Sequence, residues 1–285
     1  MTAPSIGKRI GFVDKELGNF HSNVFAKLFA GELRDRGYVV TGCTSLDHAS
    51  GRTWAQANGI PYLEDAAELD RLVDYYMILS PRDANVHLRM CEQVVPFGKP
   101  TYVDKVFAPD VATAERIFAL ADRHRVPLQT TSALRYTNVQ TRVAAIGRDA
   151  IRHMITWGSG KSFEEYAIHP VELMISCMGP DAMRLMRRGS GKQSQLLIDF
   201  SGGRTGVVNL NVESDTPSAA CITTEKHTEY IAVEGEPLFR DTALAIVDFF
   251  EKRAPTVPRA ESLAVRRILD AAERPDARSG FTAIA

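Results

Sequence analysis

The sequence predicts an α/β protein in two parts. The first, residues 1–132, is a doubly wound parallel sheet; the second, 133–285, is an α+β part on a mainly antiparallel open sheet. Three observations carry this. Short apolar runs alternate with helix-periodic stretches through the first half, which is the pattern of βαβ units. From about Thr137 the rhythm changes to strands joined by turns. The length of 285 residues, with 45% apolar content, is enough to bury either one large core or two moderate ones.

In chain order, residues 9–13 read as the first strand. A helix follows, with Phe20, Val24, Phe25, Leu28, Phe29 and Leu33 at helical spacing and Gly37 as its stop. Residues 39–44 form the second strand, and 50–58 a helix closed by Gly59. Tyr75-Tyr76-Met77-Ile78-Leu79 is the continuous apolar run of a strand buried on both faces, and 83–95 after it is helical. A strand at 101–104, a helix over 112–124 and a strand at 127–131 complete five strands with crossover helices. A right-handed doubly wound sheet is the economical solution. In the second part 165–178 is helical, and 195–200 pairs with 205–212 as a hairpin about Ser201-Gly202-Gly203. Strands at 219–224 and 229–233 and helices at 242–252 and 261–272 finish the chain, and the last helices are able to pack back on the first part.

Composition excludes several roles. A net charge of −1 with 24% charged residues gives no whole-chain field for nucleic acid or an anionic membrane. No basic stripe, zinc module or recognition-helix pattern is present. Cys43, Cys91, Cys177 and Cys221 lie far apart and read as reduced, mostly buried thiols, and the seven histidines show no metal-ligand spacing, so no metal is expected. The start, Met1 to Arg9, lacks the apolar stretch of a signal peptide, and no later run reaches the roughly 18 apolar residues of a membrane span. A cytoplasmic protein acting on a small molecule is the expectation.

The first strand should lead into a turn where glycines let backbone N–H groups approach a pyrophosphate. The segment is Val13-Asp14-Lys15-Glu16-Leu17-Gly18-Asn19-Phe20-His21. Gly18 alone sits where such a glycine is needed. Asp14 and Glu16 repel a pyrophosphate unless they point away, and Lys15 can offset them. An ordinary strand-to-helix turn is the competing reading. At the end of the second strand Ser45, with Arg52 near it, suits an adenosine ribose and leans towards a 2′-phosphate, whereas Asp47 swinging in would favour a free 2′-hydroxyl. Leu79-Ser80-Pro81-Arg82-Asp83 ends one strand, and Gly98-Lys99-Pro100-Thr101-Tyr102-Val103-Asp104-Lys105 delivers Asp104 and Lys105 to the carboxyl end of the next, the edge where open α/β sheets hold ligands.

At these residues the chain resembles the glucose-fructose oxidoreductase / inositol dehydrogenase (Gfo/Idh/MocA) family, whose first half is a Rossmann fold. The family's Gly-x-x-His is matched by Gly18 to His21, and its Thr-Pro-like pair with a downstream His by Ser80-Pro81 and His87. Its Gly-Lys-His-Val-x-x-Glu-Lys-Pro is matched by Gly98 to Lys105, and the ending of its Rossmann half by Ala121 to Arg135-Tyr136. Its Asp-x-x-x-His pair corresponds to Glu165 and His169, with Glu in place of Asp. The resemblance implies NAD or NADP as cofactor, held by Val13, Lys15, Gly18, Asn19, Ser45, Arg52, Ser80, Pro81, Asp104 and Lys105. It further implies a hydride exchange at the CH–OH carbon of a sugar, polyol or cyclitol-like substrate, and a homo-oligomer paired through the open sheet.

In one helix Glu165, His169 and Glu172 would share a face at i, i+4 and i+7; alternatively, Pro170 makes the helix begin near His169, with Glu165 in the preceding turn. The expected roles are His169 exchanging the hydroxyl proton, Glu165 orienting the imidazole, and Lys105 stabilising the developing alkoxide. Arg135, Tyr136, Asn138 and Glu172 are candidates for holding substrate, with a packing cluster as the competing reading. Two further functions stay open: a cofactor-binding regulatory or catalytically lapsed relative, and a net-redox-neutral NAD-dependent lyase or glycosidase.

Overall fold

The computed structural model describes residues 8–189 and 191–284. Residues 1–7, and with them most of the segment read above as lacking signal-peptide character, lie outside the described residues. The chain divides into two compact units, Met1–Thr130 with Ala243–Thr256, and Thr131–Thr242 with Val257–Ala285.

The first unit is a five-stranded parallel sheet in the order β2-β1-β3-β4-β5. Its strands are β1 (Arg9–Asp14), β2 (Val39–Ser45), β3 (Tyr75–Ile78), β4 (Thr101–Val103) and β5 (Leu128–Thr130). Its helices are α1 (Phe20–Ala30), α2 (His48–Asn58), α3 (Ala66–Asp70), α4 (His87–Val94) and α5 (Val111–His124). Every residue of β3, β4 and β5 is buried, as strands of a sheet covered on both faces require. Strand order reverses about β1, so β1 and β3 flank the switch point where such sheets bind ligands. Beyond β2 a sixth position survives as one bridge, Cys43 to Tyr62, which the sequence pattern does not reveal because no apolar run surrounds it. Helix α3 was also not expected; it is a single turn capped by Asp65, too short for periodicity to show. Residues 243–252 of helix α9 (Leu238–Lys252) belong to this unit, and there Phe250 stacks on Tyr75 at 4.6 Å.

The second unit carries a seven-stranded sheet in the order β11-β10-β6-β9-β8-β7-β12. The strands are β6 (His153–Gly160), β7 (Ala182–Arg188), β8 (Gln193–Phe200), β9 (Thr205–Val212), β10 (Ala219–Thr223), β11 (Thr228–Ala232) and β12 (Thr282–Ala283). The β8–β9 hairpin turns at Ser201–Gly203, with Gly202 at φ 68° and Gly203 at φ 74°, as read from the sequence. All pairs are antiparallel except β6 with β9, which makes the sheet mixed. Strands β6 and β7 escape the sequence reading because glycines interrupt one and arginines the other. Helix α6 (Asn138–Ile146) escapes it too; it is announced only by the Thr137/Gln140 capping box.

Helix α8 (Ile168–Met178) lies on this sheet and is buried almost throughout, while α10 (Arg259–Glu273) packs beside it. Two glycines allow its close seat: a Cβ on Gly206 of β9 would come within 2.5 Å of Met174 Sδ, and one on Gly158 of β6 within 3.0 Å of the Pro170 ring. Before it, α7 (Phe163–Tyr166) is a single turn that runs into α8 through Ala167, whose angles are helical.

Candidate active site

In the first unit, the carboxyl ends of β1 and β2 open onto a cavity of about 360 Å³ lined by Val13, Asp14, Thr44, Ser45, His48, Glu64 and Arg89 among others. Ser45 and Val13 therefore stand where the sequence places them. Arg52 is not among the lining residues. It is exposed and pairs with Glu64, so its charge is spent on a carboxylate and does not await a phosphate. Asp47 caps α2, its Oδ1 accepting from the N–H groups of Ala49 and Ser50. His48, Glu64 and Arg89 were not foreseen, since they come from loops and helix faces without a motif.

The turn after β1 is closed on itself. Gly18 has φ 100°, a backbone only glycine adopts readily, and Asn19 caps α1 by accepting from the N–H groups of His21 and Ser22. The Gly18 N–H goes to Ser22 Oγ, and Asp14 accepts from Asn19 Nδ2 at 2.7 Å and from the Glu16 N–H. Lys15 reaches instead to Asp83 at 2.7 Å, so it does not offset the acids as expected. Asp14 is 1% exposed, and burial raises its carboxyl well above the usual carboxylate range, against the lowering effect of the Asn19 bond.

Further along the same edge, Asp104 and Lys105 follow β4. Lys105 is 5% exposed, and its Nζ donates to the Pro81 carbonyl at 3.1 Å; Asp104 faces His21 Nδ1 at 2.5 Å and accepts the Lys105 N–H. The motif segments that begin at Gly18, Ser80 and Gly98 thus meet at one place. His87 is fully buried, with Nδ1 at 3.0 Å from the Phe107 carbonyl, and burial holds its imidazole below the ordinary value. It ties the start of α4 to the loop after β4.

These residues fit a nicotinamide dinucleotide at its nucleoside end, where the cavity presents a serine hydroxyl and an imidazole. At the diphosphate the fit rests on Asp14 being uncharged, and the turn offers few backbone donors because its own side chains hold them.

In the second unit, His169 is the second residue of α8, and its Nδ1 lies 2.9 Å from Ser132 Oγ. Glu165 is not brought to it. That residue sits on α7, where its backbone N–H donates to Ser162 Oγ, and Ala167 keeps helical angles (φ −61°, ψ −24°) that carry the backbone on into α8. The backbone therefore follows the reading of one helical run, with Glu165 one turn before His169. Ser132 is the partner the sequence did not show, because no spacing rule links positions 132 and 169.

The candidates for holding substrate prove to be joined to one another. Glu172 accepts from Arg135 Nε at 2.7 Å, from the Ser132 N–H at 2.7 Å and from Thr131 Oγ1. Arg135 Nη1 meets Glu261, which also binds Arg148. All but Arg148 are buried, so Arg135 and Glu172 form a packing cluster. One guanidinium nitrogen, Nη2, has no partner there. Asn138 uses its amide to clasp the Ala232 carbonyl and the Glu234 N–H, and Tyr136 follows Arg135 half-buried.

The cysteines are free, and burial pushes the Cys43 and Cys177 thiols up to about 12. Among the described residues no helix is long and apolar enough to cross a membrane, and no cluster of metal-ligating side chains occurs.

The family model "Oxidoreductase family, NAD-binding Rossmann fold" matches residues 17–132. No protein of curated function matches the chain in sequence. Among solved structures, scyllo-inositol dehydrogenase from Lactobacillus casei, with bound NAD(H) and scyllo-inositol, is similar at a TM-score of 0.80 and 13% identity, over 98% of this chain and 99% of that one. An oxidoreductase from Agrobacterium radiobacter in complex with NAD+, L-tartaric acid and magnesium is similar at 0.77 and 14%, over 97% and 98%. Identity this low speaks for the fold alone. Over residues 17–132 the chain matches the Gfo/Idh/MocA oxidoreductase family with its NAD-binding Rossmann fold, and along its length it shares the fold of these solved structures.

Proposed function

We propose that the protein is an NAD(P)-dependent oxidoreductase exchanging a hydride with the CH–OH carbon of a sugar, polyol or cyclitol-like substrate. The observation that carries this is Lys105, an amine buried at the carboxyl end of β4 and anchored on the Pro81 carbonyl. Lysines are seldom buried without a task. The cofactor's nucleoside would lie in the cavity with Ser45, His48 and Glu64; when bound, its nicotinamide supplies the hydride acceptor or donor. Lys105 stabilises the alkoxide that develops on the substrate oxygen, and His169 takes or returns the hydroxyl proton. The family substrates of the resemblance, and the scyllo-inositol of one structural neighbour, favour a polyhydroxylated ring.

Titration with NAD(H) and NADP(H), followed by thermal shift, tests the cofactor; binding by none of the four forms ends this reading. A panel of cyclitols and aldoses, followed by absorbance of the reduced cofactor, tests the reaction. In it His169→Ala should bind cofactor normally and lose about 100- to 10,000-fold in turnover.

The same reading makes the protein a cytoplasmic homo-oligomer. Ile155, Val207 and Leu197 line up in register across β6, β9 and β8 on the face opposite the buried residues, with Trp157 and the exposed Tyr230 beside them. A second copy would cover this apolar stripe. Val207→Glu should then shift the sedimentation coefficient to that of a monomer; a monomeric wild type removes the proposal.

A further inference from the structure

We propose that Ser132 is a positioning residue for His169: its hydroxyl accepts from Nδ1–H and thereby assigns proton exchange with the substrate to Nε2. This rests on the reading of His169 as the acid–base residue, and it replaces Glu165 in the orienting role.

The geometry points to Ser132 on both sides of the contact. Its Oγ lies 2.9 Å from Nδ1, and the residue is 1% exposed, so water does not compete for that hydroxyl. The hydroxyl is not held by its own rotamer alone. The Ser132 backbone N–H donates to Glu172 Oε2 at 2.7 Å, Thr131 Oγ1 reaches both the Ser132 carbonyl and Glu172 Oε1, and Arg135 Nε fixes Glu172 at 2.7 Å. The imidazole is fixed from its own side because Pro170 follows it and packs on Gly158, which sets the start of α8 against the sheet.

The chemistry of a hydroxyl differs from that of a carboxylate here. With Nδ1 protonated in both charge states of the ring, the Nδ1–H to Oγ bond survives gain or loss of a proton at Nε2. A carboxylate in the same place would favour the imidazolium and hold the proton back from the substrate oxygen. A neutral acceptor orients the ring and fixes its tautomer without adding that charge. Ser132 touches neither substrate nor cofactor in this role; it acts through His169.

Two measurements test it. Nitrogen-15 NMR of histidine-labelled protein reads the neutral tautomer of His169 without substrate: Nδ1–H is expected to dominate in the wild type and to give way to a mixture in Ser132→Ala. A dominant Nε2–H form in the wild type overturns the proposal, whether or not any variant folds. In turnover on the panel polyol that reduces NAD+ or NADP+ fastest, Ser132→Ala should lose about 10- to 100-fold in kcat with KM little changed, and Ser132→Thr should recover most of it. Wild-type kcat in Ser132→Ala beside a crippled His169→Ala overturns the Ser132 role and leaves the acid–base reading standing. Wild-type kcat in His169→Ala overturns that reading, and the tautomer still reports on the contact.

Discussion

The two units answer the same sequence signal in opposite ways. Both were expected to offer polar side chains to a ligand: Ser45 and its neighbours in the first, Arg135 and Glu172 in the second. In the first unit the polar groups at the ends of β1 and β2 line a cavity. In the second, Glu172 and Glu261 both bind Arg135, so these polar groups satisfy each other. A run of polar residues at a promising place in the sequence therefore says that polar atoms gather there. Whether they face a ligand depends on whether they can satisfy each other, and that is decided by partners far along the chain, such as Glu261.

The contrast can be broken most forcefully in the second unit. Glu261→Ala leaves Arg135 with one carboxylate fewer and takes from Arg148 its carboxylate partner, and breaking a buried pair costs about 3–5 kcal/mol. Urea unfolding should show that loss; a cost under about 1 kcal/mol would mean that the cluster is loosely held and Arg135 is available to substrate after all.

In the first unit a smaller effect is expected, on binding. Burial raises the Asp14 carboxyl, so its neutral form persists above the usual carboxylate range. A diphosphate favours that neutral form, so cofactor affinity should fall as pH rises through the Asp14 titration, by no more than about tenfold per pH unit for one proton. Asp14→Asn should flatten this dependence. An unchanged slope would take Asp14 out of this dependence. The sign holds for stability as well. A carboxyl raised on folding contributes stability that is complete below its unfolded value and is lost as pH climbs through the folded one, so the Asn variant should gain on the alkaline side.

The smallest effect sharpens the cofactor question. Arg52 pairs with Glu64 at the surface, where solvent and salt screen an ion pair and leave it little net worth. Arg52→Ala should therefore change NADP+ affinity by less than about fivefold. A loss well beyond that would restore Arg52 as the ligand of a 2′-phosphate.

Much of the fold was legible, because βαβ units write their order into alternating apolar runs and helix periods. The five strands of the first unit and the β8–β9 hairpin follow from that alone. What escaped was local structure with weak hydrophobic patterning: the single Tyr62 bridge, the one-turn helix α3, and β6 and β7 with their glycines and arginines. Of the candidate site, Lys105, Ser45 and His169 could be found by position, since each stands at the end of a recognisable element. Side-chain direction could not. Asn19 turned inward as a cap, Lys15 chose Asp83, and His169 Nδ1 met Ser132, each through a local or long-range hydrogen bond that spacing does not encode.

Glu172 has a consequence for how such a protein can change. Buried ion pairs elsewhere can be exchanged for apolar residues at little cost, which gives evolution and engineering a route to a plainer core. Here that route is blocked in part. Trading Arg135 and Glu261 for hydrocarbon would leave Glu172 as an unpaired acid directly beneath Ser132, and removing Glu172 as well would release the backbone on which Ser132 stands. A library selected only for thermal resistance would drift towards variants that fold well and hold His169 badly, so selection on this unit has to score turnover and stability in the same round.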